Sequence, residues 1–185
     1  DFYNKRRKQA FHATPNSGHQ ALAELEAHFN VQIITQNVDD LHEKAGSTSV
    51  LHLHGKLREA KSSRSHAHII DIEDQPIQIG DKADDGSQLR PNVVWFGEAV
   101  PNIEPASVLV SKADILVIIG TSLVVYPAAG LTDFAASGIP KFIVDPSAPQ
   151  IRLDENWTHI AEPAETGVPK LKEILINKFS DNSNG

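Results

Sequence analysis

The sequence predicts an α/β fold, a doubly wound parallel sheet interrupted by a small inserted module. Three observations predict it. Short β-branched and apolar runs recur between stretches with helical spacing. Asp114 to Ile119 is almost continuously apolar, as a strand buried on both faces requires. Between Lys56 and Asn92 the chain turns polar and mixed in sign, and Gly80, Gly86 and Pro91 break it, so 56–92 reads as an insert.

The elements follow in order. Phe2 to Phe11 is a charged helix. Pro15-Asn16-Ser17 punctuates, and Ser17 is the expected cap of a helix from His19 to Phe29, with Ala21, Leu22, Leu25 and Phe29 on one face. Val31 to Thr35 reads as a buried strand, Asp39 to Ala45 as a short helix stopped by Gly46, and Val50 to His54 as extended. After the insert, Val93 to Phe96 is extended and Ile103 to Lys112 helical. Strands are expected at 114–119 and 141–144, with a helix from Pro127 to Ser137 between them. Val168 to Phe179 closes as an amphipathic helix, and 181–185 is expected to be a disordered tail. Segments 1–55 and 93–180 thus form the main domain.

Composition narrows the function. The net charge of −7 argues against nucleic acid as partner, since the one short basic run is Lys5-Arg6-Arg7-Lys8. The 185 residues include no cysteine, which removes disulfides, thiolate metal sites and cysteine nucleophiles, and is compatible with a cytoplasmic setting. No apolar run reaches the roughly 20 residues that span a bilayer, so no membrane partner is expected. The sequence also has no methionine, which points to a fragment. Asn156-Trp157-Thr158 fits a glycosylation pattern that we read as chance.

In sheets of this kind ligands gather beyond the carboxyl ends of the strands. Strand 31–35 runs into Gln36-Asn37-Val38-Asp39, strand 114–119 into Gly120-Thr121-Ser122, and strand 141–144 into Asp145-Pro146. Small and polar residues at three successive strand ends suggest a nucleotide site. Taken singly, Gln36-Asn37 also reads as an ordinary turn, Gly120-Thr121-Ser122 as a helix cap, and His52 and His54 as structural residues on a strand face.

Together the pieces resemble one family. Thr35-Gln36-Asn37-Val38-Asp39-Asp40-Leu41-His42-Glu43-Lys44-Ala45-Gly46 followed by His54-Gly55, then Val93-Val94-Trp95-Phe96-Gly97-Glu98 with Pro101, then Gly120-Thr121-Ser122-Leu123-Val124-Val125-Tyr126-Pro127-Ala128-Ala129-Gly130, resemble the sirtuin blocks in the sirtuin order. The resemblance spans roughly Phe2 to Phe179. It implies a Rossmann-type domain with a small module, NAD as co-substrate, acylated-lysine proteins or peptides as partners, and deacylation yielding lysine, nicotinamide and O-acyl-ADP-ribose. It also implies that His54 is the general base, that Asn37 and Asp39 line the nicotinamide and ribose pocket, and that Gln36 meets the ribose. Gly120, Thr121 and Ser122 would hold the phosphate–ribose region and Ala164 the adenine side. Val94, Phe96, Gly97 and Glu98, with Val124 and Tyr126, would clamp the peptide as an added strand. In the family's reaction a ribose hydroxyl must lose a proton, and imidazole chemistry suits that task near neutrality.

The opening Phe2-Tyr3-Asn4-Lys5-Arg6-Arg7 resembles the sirtuins that accept succinyl- and malonyl-lysine, with Tyr3 and Arg6 on the acyl carboxylate. That spacing puts both on one helical face, and a guanidinium can grip a carboxylate through two bonds. A solvated basic helix end is the other reading.

The pattern also departs from the family. Most sirtuins hold a structural zinc with two Cys pairs in the module, and this chain has none. His66, His68, Asp71 and Asp74 match no standard closed zinc set, so no zinc is expected. Packing alone should hold the insert, through Leu57, Ile69, Ile70, Ile72, Ile77, Ile79 and Leu89. The family's Gly-rich first βα loop does not occur in the sequence, so a βα unit is expected upstream of Asp1, and NAD binding by this chain alone should be weakened. Ile143 stands where the family usually has an adenosine-contacting Asn. Two rival readings share the residues: ADP-ribosyl transfer to protein, and a non-catalytic NAD or ADP-ribose binding module.

Overall fold

The computed structural model describes residues 1–65, 68–121, 128–149 and 153–180. The elements are α1 (Phe2–His12), α2 (Ser17–Leu25), β1 (Ile33–Thr35), α3 (Leu41–Lys44), β2 (Val50–His52), β3 (Gly55–Ser62), β4 (Ile70–Asp71) and β5 (Leu89–Val93). Then come α4 (Ile103–Ser111), β6 (Leu116–Ile119), a 3₁₀ segment (Ala128–Phe134), β7 (Lys141–Val144), β8 (Trp157–Ile160) and α5 (Ala164–Phe179). They divide into two compact units.

The first unit comprises Asp1–Thr14, Ile34–Leu41 and His52–Pro101. Its sheet is antiparallel in the order β4-β3-β5. Gly55 pairs with Val93 and Lys56 with Asn92, after which the register shifts and Ala60 pairs with Pro91. The irregularity adjoins Pro91, which has no N–H to give the ladder. Helix α1 packs on β3.

This insert is not held as the sequence suggested. Leu57 is buried and Ile72, Ile77 and Leu89 are half-buried, but Ile69, Ile70 and Ile79 are exposed, Ile79 fully. Polar ties share in the holding. Ser62 Oγ donates to Asp85 Oδ2 at 2.6 Å and lies 2.7 Å from Ser87 Oγ, with Ser62 and Ser87 both buried. Asp85 is held down at about 2 by these serines, so it stays ionised.

The second unit comprises Pro15–Ile33, His42–Leu51 and Asn102–Gly185. Its sheet is parallel, in the order β6-β7-β8. All four residues of the central β7 are buried, which accounts for its apolar run Phe142-Ile143-Val144. The core joins α2, β7 and α5 through Ala21, Leu25, Phe142, Val144, Val168, Leu171 and Leu175.

Several boundaries differ from expectation. Asn16, not Ser17, caps α2: its side chain accepts from His19 N at 3.2 Å, while Ser17 Oγ donates to Glu165 O. Helix α2 ends at Leu25, and Phe29 packs on the core from beyond it. Helix α5 begins at Ala164, four residues early, with Pro169 inside it. The expected helix at 127–137 is a 3₁₀ segment where described. Strand β8 was not anticipated, and Trp157 and Thr158 of the supposed glycosylation pattern lie in it. The expected tail, 181–185, lies outside the described residues.

Candidate functional site

The site in the first unit is organised by two histidines. The expected extended segment from Val50 to His54 is strand only as far as His52, and His54 lies in the turn that follows. His52 Nδ1 lies 3.1 Å from the carbonyl oxygen of Asn37, and His54 Nδ1 lies 3.1 Å from that of Gln36. The two rings therefore hold successive carbonyls of one loop. Asn37 N completes the loop by donating to Thr35 Oγ1 at 3.1 Å. His52 is buried and structural, whereas His54 is half-buried.

A carbonyl can only accept, so the His54 bond requires hydrogen on Nδ1. In the neutral ring Nε2 then carries the lone pair, the arrangement of a general base. The backbone fixes the ring's position further. His54 O accepts from Val94 N at 3.0 Å, and Leu53 N donates to Thr35 O at 2.9 Å. Gly55 follows with φ +76°, and a Cβ there would lie 2.0 Å from Asn92 O. Only glycine fits both that conformation and that approach.

Asp39 Oδ1 accepts from Leu41 N at 3.2 Å, an Asx cap on the short helix. Next to it, buried Asp40 is paired with Arg58 at 3.0 Å. These contacts bring Gln36, Asn37, His54 and Val94 together, while Asp39 holds the start of the short helix that follows.

The expected extended segment after Val93 is instead a turn. Glu98 N donates to Trp95 O at 3.0 Å, Trp95 N donates to Glu98 Oε2 at 2.9 Å, and Gly97 has φ +88°. The loop offers the fully exposed ring of Phe96 and the turn itself, rather than a run of strand. Sequence reasoning missed its anchor, Arg90. That guanidinium makes a two-pronged pair with Glu98 at 2.6 and 3.1 Å and lies 3.5 Å from the Trp95 ring centroid. Arg90 and the Trp95 amide hold the Glu98 carboxyl down at about 2.

Tyr3 and Arg6 lie on α1. Tyr3 stacks on Trp95 with centroids 6.4 Å apart, and exposed Arg6 sits 5.2 Å from the Phe2 ring centroid. Sequence reasoning also missed what holds this helix. Arg7 is 1% exposed, and burial lowers its pKa. It donates to Leu57 O at 2.5 Å, to Asn4 Oδ1 at 2.8 Å and to Gln75 O at 3.2 Å. Asn4 in turn exchanges bonds with the Ile77 backbone at 2.8 and 3.0 Å. The i, i+3 spacing of Asn4 and Arg7 was the available signal, masked by the basic run around it.

Gly120, Thr121 and Ala164 belong to the second unit. Gly120 follows β6 with φ +59° and bonds Val144 O through its N–H at 2.9 Å, and among the described residues beyond its chain neighbours nothing lies within 4 Å of where a Cβ would stand. A strand end this open to close approach fits a nucleotide's phosphate–ribose region. Half-buried Thr121 follows it. Ala164 opens α5 with its carbonyl against Gly18. Ile143 is buried in the sheet at 1% exposure. Ser122, Val124 and Tyr126 lie outside the described residues, as does His66. Among the described residues no group of three or more His, Asp or Glu could hold a metal ion. His68 is exposed, and Asp71 is bonded to Arg58 at 2.6 Å.

A model of the Sir2 family matches residues 1–127. The chain belongs to the Sir2 family. One Sir2-type relative, an NAD-dependent protein deacylase of Bacteroides thetaiotaomicron, is 51% identical over 181 residues, covering 95% of this chain and 77% of the relative. A crystal structure of a Sir2 homolog–NAD complex matches with a TM-score of 0.83 at 37% identity, covering 95% of this chain and 70% of that one. A structure of Sir2 bound to acetylated peptide matches at 0.70 and 31%, covering 91% and 72%. The helices and the parallel sheet of this chain are those of a Rossmann-like α/β fold.

Proposed function

We propose that this chain is an NAD-dependent protein-lysine deacylase in which His54 is the general base. The observation that carries the reading is the His54 Nδ1 contact with Gln36 O at 3.1 Å, which leaves Nε2 with the lone pair. The deacylase names of its relatives support it. NAD, when bound, supplies the ribose carbon and hydroxyls to which the acyl group passes as nicotinamide leaves. His54 Nε2 takes the proton from the ribose hydroxyl that attacks the acyl carbon. Gln36, Asn37 and Asp39 line the ribose and nicotinamide side, and Gly120, Thr121 and Ser122 take the phosphate–ribose region. Ala164 lies toward the adenine.

Acylated-lysine peptides are the substrate class, in keeping with the Sir2 structure bound to acetylated peptide. Val94, Phe96, Gly97 and Glu98 meet the peptide with Val124 and Tyr126. Tyr3 and Arg6 favour acyl groups that end in a carboxylate, such as succinyl and malonyl. No zinc is needed by a module whose sequence has no cysteine. A cysteine-free chain also suits a reducing cytoplasm. Among the described residues no helix is long and apolar enough to cross a membrane.

The test is nicotinamide release by the full-length protein with and without an acyl-lysine peptide, with product masses recorded. Peptide-dependent release with free lysine and O-acyl-ADP-ribose is expected. ADP-ribose attached to protein, or no turnover despite NAD binding, would favour the rival activities.

A further inference from the structure

A cavity in the first unit lies beside the turn that Arg90 and Glu98 hold. It is about 280 Å³, near the lower end of small-ligand pockets. Its wall carries Lys61, Arg64 and Arg90 against the single carboxylate of Glu98, with Ser63 and Ser65 between them. Arg90 is already paired with Glu98, which leaves Lys61 and Arg64 as the other cations among the described lining residues. Lys61 is buried at 4% exposure, and burial together with the neighbouring Arg90 charge lowers its pKa. Arg90 is fixed by Glu98 and Trp95, and its Nε is buried with no hydrogen-bond partner. Arg64 is exposed at the rim. Asp85 is outside the described lining, is tied to Ser62 and Ser87, and also feels the charge of Arg64.

The position of the cavity indicates its ligand. Glu98 and Ala99, which line it, directly follow the exposed Phe96-Gly97 turn. An extended peptide advances about 3.3 Å per residue, so a substrate held at that turn brings residues within about three positions of its acyl-lysine to the cavity. We infer that this cavity is a subsite for an anionic side chain of the substrate peptide, a carboxylate or phosphate flanking the acyl-lysine. The inference rests on the reading that the turn at Val94–Glu98 meets the peptide. Arg64 makes first contact at the rim, and Lys61 and Arg90 supply the field that holds the anion.

The experiment measures kcat/KM for a set of acyl-lysine peptides in which Ala is replaced by Glu or phosphoserine, one position at a time, on both sides of the lysine. Full-length wild type, Arg64→Ala and Arg64→Glu are compared at low and high salt. In wild type at least one position should favour the acid by about threefold to tenfold, carried by KM and weakened by salt. Arg64→Ala should bring that acid-to-neutral ratio close to one, and Arg64→Glu should invert it. No acid preference at any position, or a preference that Arg64→Glu leaves intact, overturns the subsite while turnover of the all-Ala peptide keeps the deacylase reading standing. If no peptide is deacylated at all, both fall. Inorganic phosphate should inhibit the acidic peptide more than the neutral one; equal inhibition also counts against the subsite.

Discussion

Nδ1 of His54 lies 3.1 Å from the carbonyl oxygen of Gln36, a residue 18 positions earlier in the chain. That contact joins the two halves of the sequence signature, the polar loop after β1 and the histidine after β2. It sets the ring's tautomer and aims it, while the neighbouring His52 grips the next carbonyl. The proposed base is therefore oriented by backbone, and its geometry depends on the loop's own fold. Four predictions concern what surrounds it.

Gly55 is the joint between His54 and the insert. A methyl group there would strike Asn92 O while the backbone holds φ at +76°. Gly55→Ala is expected to cost more than about 2 kcal/mol, combining strain with displacement of β5. Chemical denaturation should show the loss, together with reduced turnover. An unchanged midpoint would mean that β5 yields freely.

The turn after β5 should carry a pH signature. The Glu98 carboxyl is lowered from 4.5 to about 2 by Arg90 and the Trp95 amide. A lowered folded-state pKa stabilises the fold fully above the unfolded value and loses that stabilisation as pH falls through the folded value. The Tm difference between wild type and Glu98→Gln should stay constant above pH 4.5 and close as pH falls toward about 2. A difference that grew with acidity would contradict the pairing.

Arg7 ties α1 to the insert through the carbonyls of Leu57 and Gln75. Arg7→Met keeps much of the bulk but strands two acceptors, which outweighs relief from burying a charge. We expect a loss of about 2–4 kcal/mol, measured by urea denaturation. A neutral result would show that water replaces the guanidinium.

Arg6 is exposed and sits over the Phe2 ring, so its removal should spare the fold. Arg6→Met should lower kcat/KM for a succinyl-lysine peptide by about tenfold or more and barely change that for the acetyl peptide. Equal losses on both peptides would sink the carboxylate role.

How much could be read from sequence depended on where each signal lay. Strand β7 was legible because Phe142, Ile143 and Val144 form an unbroken apolar run in a doubly covered strand. Strand β8 was not, since Trp157-Thr158-His159-Ile160 mixes polar and apolar residues and is recognisable only by its pairing with β7. The insert misled in part because the chain leaves Ile69, Ile70 and Ile79 of its expected core in solvent, while Ser62, Asp85 and Ser87 add polar ties. His54 and Asn37 were legible as a motif. Their mutual arrangement was not, because it is made by contacts 15 to 18 residues apart. Arg90 carried no local signal, since its role comes from Trp95 and Glu98 folding back onto it.

The central claim is that His54 moves the proton. Its most direct test compares full-length wild type with His54→Ala, measuring single-turnover deacylation of an acyl-lysine peptide alongside NAD affinity by calorimetry. The account predicts that deacylation falls by about 10²–10⁴-fold while NAD affinity stays within about threefold. Normal deacylation by the variant would contradict it.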